Sequence, residues 1–229
     1  MMALVTFTSC DEDEDPNEDP DEIENGNNGG VAGKRIKTVL QTTGPMDGTV
    51  RSEFTYNSDG TLKRGDYYDS SSKLLQYEIC TANSDGTHAK GETHNSDGSL
   101  FMVLNYTYDA NKKPLKAEGT LYSNGEQPIK YDYTFENGRR TLYVVTLPDS
   151  KVVNKYEHIY ASNGTRTKTI ETSYYNDILM STREFTRTYN SDGTLQKVTY
   201  QNGDNAIITL TYTWENGKTN VNYDDFNSF

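Results

Sequence analysis

The chain has 229 residues, a net charge of -12 and a pI near 4.7, so DNA or RNA meets repulsion over most of its surface and nucleic acid drops out as a partner. Only 33% of the residues are hydrophobic and the mean hydropathy is -0.86, yet there are 18 Tyr and 7 Phe, a composition that suits a half-buried pleated sheet. That length fits one all-β domain with a sizeable core.

Residues 1–10 read as the remnant of an export signal. Met1 to Ser9 are apolar or small and end in Phe7-Thr8-Ser9-Cys10, which resembles the lipobox of bacterial lipoproteins. The resemblance implies lipidation of Cys10, and with no basic start before this short apolar run the signal is expected to begin upstream. Residues 11–33 follow as an acidic, flexible tether. The stretch Asp11 to Glu24 holds ten acids and no base, and Asn25-Gly26-Asn27-Asn28-Gly29-Gly30 has nothing to bury. The run Asp11-Glu12-Asp13-Glu14-Asp15 is similar to the acidic export signal of Bacteroidota surface lipoproteins, which implies the outer face of the outer membrane. With Cys10 modified, Cys80 is a lone thiol, and its setting in Leu74-Leu75-Gln76-Tyr77-Glu78-Ile79-Cys80 predicts a strand residue that packs.

From residue 34 to 229 the chain reads as a single β-barrel-like domain punctuated by one turn. Asn57-Ser58-Asp59-Gly60, Asn83-Ser84-Asp85-Gly86, Asn95-Ser96-Asp97-Gly98 and Asn190-Ser191-Asp192-Gly193 are copies, and looser versions such as Asp109-Ala110-Asn111-Lys112, Glu136-Asn137-Gly138 and Gln201-Asn202-Gly203 fill the gaps. In such turns Asn and Asp cap their own backbone, and Gly takes the positive φ of a type I′ turn or of a type I turn with a G1 bulge. An aromatic residue stands before many of the turns (Tyr56, Tyr108, Tyr160, Tyr189, Trp214), and Leu62, Leu100 and Leu195 follow the glycine by two. These pairs are expected to face each other across each hairpin.

Between turns the pattern has a period of two. Val50, Ser52, Phe54 and Tyr56 share one face; so do Ile129, Tyr131, Tyr133 and Phe135, and Ala206, Ile208, Leu210, Tyr212 and Trp214. The spacing predicts an antiparallel meander of about 14 short strands joined by tight hairpins, and that many strands avoid exposed edges by closing, or nearly closing, into a barrel.

Tyr56-Asn57-Ser58-Asp59-Gly60-Thr61-Leu62 and Tyr189-Asn190-Ser191-Asp192-Gly193-Thr194-Leu195 resemble the Tyr-Asp repeats of Rhs-type shell proteins. Lipobox, acidic spacer and Tyr-rich hairpins together are similar to a family of Bacteroidota surface lipoproteins, mostly from gut species, whose fold is described as porin-like. The resemblance implies a barrel and brings no activity to transfer.

Catalytic signatures are absent from the sequence. His88, His94 and His158 have no metal-like spacing and read as surface or strand residues, and neither a nucleophile elbow nor a phosphate loop occurs, so neither metal nor cofactor is expected. Glu78, Glu118, Asp132, Glu157 and Glu171 are strand acids, most of them alternating with Lys or Arg as cross-strand surface pairs would. The expected function is that of a non-enzymatic cell-surface module for a glycan, a peptide or an outer-membrane partner, with Tyr131, Tyr133, Tyr212 and Trp214 as the candidate ligand-stacking residues. The alternatives are a structural or carrier barrel with a packed lumen, a glycosidase-like enzyme, and an outer-membrane pore, which Arg64, Asp66, Arg183, Arg187 and Glu171 in the strands oppose.

Overall fold

A computed structural model describes residues 33–43, 50–123, 125–137, 139–147, 152–201 and 206–217. Cys10, nearly all of the acidic tether, and the turn residues Asn124, Gly138, Asn202 and Gly203 lie outside these.

Fourteen strands follow one another: β1 Lys34–Thr43, β2 Arg51–Tyr56, β3 Leu62–Tyr68, β4 Leu74–Ala82, β5 His88–Asn95, β6 Leu100–Tyr108 and β7 Pro114–Leu121. The second half is β8 Gln127–Glu136, β9 Arg139–Thr146, β10 Val152–Tyr160, β11 Arg166–Tyr175, β12 Ile178–Tyr189, β13 Leu195–Gln201 and β14 Ile207–Asn216. Each pairs antiparallel with the next, and β14 returns to β1, from Lys34 opposite Asn216 to Thr43 opposite Thr209. The closed meander barrel is therefore the predicted fold, and closure leaves no strand without a neighbour on either side.

An even number of strands brings the chain back to the rim it left. The Gly217 amide donates to the Gly33 carbonyl at 3.0 Å, so both ends of the barrel wall meet at what we term the terminal rim. The turns at 57–61, 83–87, 109–113, 161–165 and 190–194 lie on this rim, and those at 69–73, 95–99 and 176–177 on the far rim.

The repeated turn is a type I turn with a G1 bulge. At 57–61 the Gly60 amide donates to the Asn57 carbonyl at 3.1 Å, the Asn57 amide donates to the Thr61 carbonyl at 2.8 Å, and Gly60 has a φ of 91°. Asp59 Oδ1 accepts both the Thr61 amide at 2.9 Å and the Thr61 hydroxyl at 2.7 Å, bonds that hold its carboxyl below the usual carboxylate range. The same geometry recurs at Asp85, Asp97 and Asp192. By contrast Asn176 and Asp177 both have positive φ, 48° and 62°, the pattern of a two-residue type I′ turn.

The aromatics before the turns act in two directions. Across their own turns Tyr56 faces Leu62 and Tyr189 faces Leu195, as expected. Backwards, four of them bond a carbonyl on the preceding strand: Tyr56 Oη to Ile36 at 2.8 Å, Tyr160 Oη to Arg140 at 2.8 Å, Tyr189 Oη to Arg166 at 2.6 Å and Trp214 Nε1 to Leu195 at 2.8 Å. This lacing gives a large apolar ring a satisfied polar tip at the rim.

Candidate functional site in the barrel interior

Eight strands close around an interior that ordinary side chains just fill, so fourteen need larger ones. The inward positions supply them. One cluster runs from β12 through β14 and on to β4, with Phe185, Val198, Tyr212, Ile36, Phe54 and Tyr67; a second spans β6 to β10, with Leu104, Tyr131, Tyr143 and Tyr156. Tyr143 stacks on Tyr156 with ring centroids 4.2 Å apart.

The four candidate ligand-stacking residues all face inward, but in two groups. Tyr131 and Tyr133 belong to the β6–β10 cluster, whereas Tyr212 and Trp214 belong to the other, on β14. Tyr131 and Tyr212 are buried against their neighbours. Cys80 is buried as a packing residue, and that burial pushes its thiol well up.

Polar residues occupy the rest of the interior, and the histidines, expected at the surface or on strands, all lie on strands. His88 and His158 are both buried inside, while His94 lies on the outer wall, stacked on Tyr77 at 5.0 Å. Glu118 and Asp132 do pair with Lys116 and Lys130 on the outside, but Glu78 and Glu171 point inward. They turn inward because they share a face with Cys80 and Thr169, and the apolar phase that would announce this is missing from Gln76-Glu78-Cys80.

Glu78 on β4 is 1% exposed. It accepts from Tyr67 Oη at 3.2 Å, and it lies over Gly91, where a Cβ would come within 2.7 Å of its Oε1. Burial raises its carboxyl to about 8, so it is neutral at pH 7. His88, with its ring 6.0 Å from that of Tyr106, is pushed by the same burial down to about 4 and is neutral as well. This niche mixes a carboxylic acid, an uncharged imidazole and the Tyr67 and Tyr106 phenols.

Facing it on the other side of the barrel, Glu171 on β11 accepts from Arg183 Nε at 2.8 Å and from Tyr156 Oη at 3.0 Å. Nearer the terminal rim Arg187 Nη1 donates to Thr169 Oγ1 at 2.8 Å, and the same hydroxyl is hydrogen-bonded with His158 Nδ1 at 2.9 Å. Arg166 Nη1 stands 3.3 and 3.2 Å from the two His158 ring nitrogens, a pair of distances that only a position over the ring allows. Burial, and then the positive charges of Arg166, Arg140 and Arg187, push His158 well below its ordinary value.

The outer wall is charged. Arg51–Glu53, Arg64–Asp66, Lys90–Glu92, Lys116–Glu118, Lys130–Asp132 and Lys168–Glu184 pair on it within 2.6 to 3.3 Å. Tyr68, Tyr77 and Tyr174 stand there too, each under a cation: Arg51, Arg64 and Lys155. Among the described residues no helix is long and apolar enough to cross a membrane, and no group of three His, Cys, Asp or Glu could hold a metal ion.

No protein-family model and no curated protein matches this chain. Among solved structures, 80% of the chain is similar to 96% of a porin-like protein from Bacteroides uniformis, at 12% identity and a TM-score of 0.46. A second similarity joins 72% of it to 10% of the chain in a TcdB2-TccC3-TEV structure, at 13% identity and a TM-score of 0.32.

Proposed function

We propose that this is a non-enzymatic binding module, tethered by a lipid on Cys10 to the outer face of the outer membrane, with its barrel in water and its far rim presented to a glycan, a peptide or a neighbouring membrane protein. The observation that carries this reading is the ring of ion pairs on the outer wall. A single Arg or Lys facing lipid at the bilayer midplane costs about 2 to 4 kcal/mol, and these strands carry several. With both ends of the wall on the terminal rim, a tether leaving Gly33 holds that rim toward the membrane.

A pore would need an open lumen, whereas Tyr131, Tyr143, Phe185 and Arg166 inside are almost wholly buried. The same packing favours a second reading, a structural barrel without a ligand. A glycosidase-like site needs two carboxyls facing one cleft, about 5 to 10 Å apart. Glu78 and Glu171 sit on strands seven places apart around the fourteen-strand ring, and each is engaged by its own tyrosine, Tyr67 and Tyr156.

The test is to produce the full chain in a Gram-negative host that exports surface lipoproteins. Labelling with an alkyne fatty acid and protease accessibility on intact cells are then compared with Cys10→Ala, and the protein is screened on glycan arrays. Labelling that survives Cys10→Ala, or protection from protease on whole cells, overturns the tether. A blank array with the tether intact turns the reading to the structural barrel.

A further inference from the structure

The longest strand, β12, outruns its neighbour. On the β11 side it is paired all the way to Ile178, opposite Tyr175. On the β13 side pairing begins only at Phe185, opposite Tyr200, and Gln201, the last residue of β13, pairs with Ile207 of β14. Ile178-Leu179-Met180-Ser181-Thr182-Arg183-Glu184 therefore forms an open edge at the far rim, with no strand beside it among the described residues. Alternate residues of such an edge aim an amide N–H and a carbonyl away from β11, a template for one more strand.

The side chains along it are unusual for this molecule. Ile178, Leu179 and Met180 are 65%, 58% and 63% exposed, and Tyr175 across the turn is also exposed. Leu40, Leu115, Ile159 and Ile207 are exposed as well but stand singly, and Lys-acid pairs share the wall with them, whereas Ile178, Leu179 and Met180 are consecutive and the stretch from Ile178 to Thr182 has no charge at all. The asymmetry between a charged wall and an uncharged open edge marks this segment out.

We propose that the β12 edge at Ile178–Glu184 is a docking site for an extended segment of another polypeptide, which adds to the barrel wall as an extra strand in line with β13. The inference deepens the binding reading above by naming the class of partner, and it holds whether or not Cys10 carries a lipid. Two arguments select this occupant. A lipid surface would cover Ile178, Leu179 and Met180 but leave the edge amides and carbonyls without partners, which is costly in hydrocarbon. A second copy pairing edge to edge would contribute seven residues a side, well short of the roughly 20 to 30 a side of a stable protein interface. One extended peptide satisfies both the backbone and the apolar side chains, as in β-strand addition. The segment it takes is uncharged at its centre and apolar or β-branched at successive positions, because Ile178, Leu179 and Met180 expose apolar side chains on both faces of the strand.

The test uses the full chain as bait for a phage-displayed random peptide library, with the strongest hits synthesised and their affinities measured. Peptides of that character should emerge, and Leu179→Lys with Met180→Lys should weaken them by about tenfold or more. Single N-methylation along a hit should abolish binding at alternate positions only, because a strand presents every other amide to its neighbour. No enrichment overturns the proposal, as do hits that bind the double-Lys variant equally or tolerate N-methylation throughout. Reversible dimerisation in light scattering that the double-Lys variant abolishes would assign the edge to a second copy. Flotation with phosphatidylcholine–phosphatidylglycerol vesicles that depends on Ile178–Met180 would assign it to lipid. Either overturns the proposal while leaving the surface tether untouched.

Discussion

Replacing Glu78 by Gln removes the largest electrostatic penalty that can be read from this fold. The Glu78 carboxyl is raised from 4.5 to about 8 by burial, so at pH 7 the folded barrel must hold neutral a group that the unfolded chain ionises. At 1.36 kcal/mol per pH unit that costs about 3 kcal/mol at pH 7 and about 4 by pH 8. A glutamine of the same shape still accepts from Tyr67 and carries no such cost. The sign follows from the raised value: the Glu78 contribution is fully present below about pH 4.5 and is lost as the pH climbs through 8. His88 works the other way, since its folded value is lowered from 6.5 to about 4; its contribution is complete above 6.5 and is lost toward 4, and His158 adds to it in the same direction. The opposing slopes meet between about 4.5 and 6.5, and above 6.5 Glu78 acts alone of the three. Wild-type stability should then fall by about 2 kcal/mol between pH 6.5 and 8, while Glu78→Gln stays level. Urea unfolding followed by the fluorescence of Trp214, the single tryptophan, measures both at several pH values. The gap between variant and wild type should grow from under about 1 kcal/mol near pH 5 to several at pH 8. A gap that does not change with pH, or a variant less stable than wild type at pH 8, refutes the assignment of a buried neutral carboxyl.

Other substitutions probe the rest of the fold. A Cβ at Gly119 would run into the carbonyl of Val103 on the neighbouring strand, so Gly119→Ala should cost at least about 3 kcal/mol in the same urea assay. Arg183→Leu leaves the Glu171 carboxylate without its cation and should cost about 2 to 4 kcal/mol at pH 7, most of it recovered by adding Glu171→Gln. Ser72 holds a φ of 64° in an exposed turn, where glycine fits better, and Ser72→Gly should stabilise by about 0.5 to 1 kcal/mol, seen as a raised thermal midpoint.

Much of this architecture was written locally. Asn57-Ser58-Asp59-Gly60 and its copies bring every atom their turn needs, from the Asp carboxylate that caps the following Thr to the glycine that takes positive φ, so strand number and hairpin order could be read in advance. The inward faces of β2, β8 and β14 were equally legible, because Phe54, Tyr131 and Tyr212 keep phase with apolar neighbours two residues away. Glu78, His88 and Arg166 were not. On β4 the apolar phase, Leu75, Tyr77 and Ile79, lies outside and points Glu78 the wrong way, while at His88 and Arg166 the register shifts next to the turns, at Thr81/Ala82 and Ile159/Tyr160, move the inward phase by one residue. No count along the chain then says which side of the wall they face.

Composition and turn chemistry alone determined that the chain is a tandem of short antiparallel hairpins, since each hairpin is specified by residues within reach of one another. Only the tertiary structure decided that β1 meets β14, that Glu78 and Glu171 lie inside the wall, and that β12 runs on past the last of its residues that pairs with β13 among those described. Those outcomes rest on pairings across as many as 182 positions and on the stagger of neighbouring strands, which no local run of residues encodes.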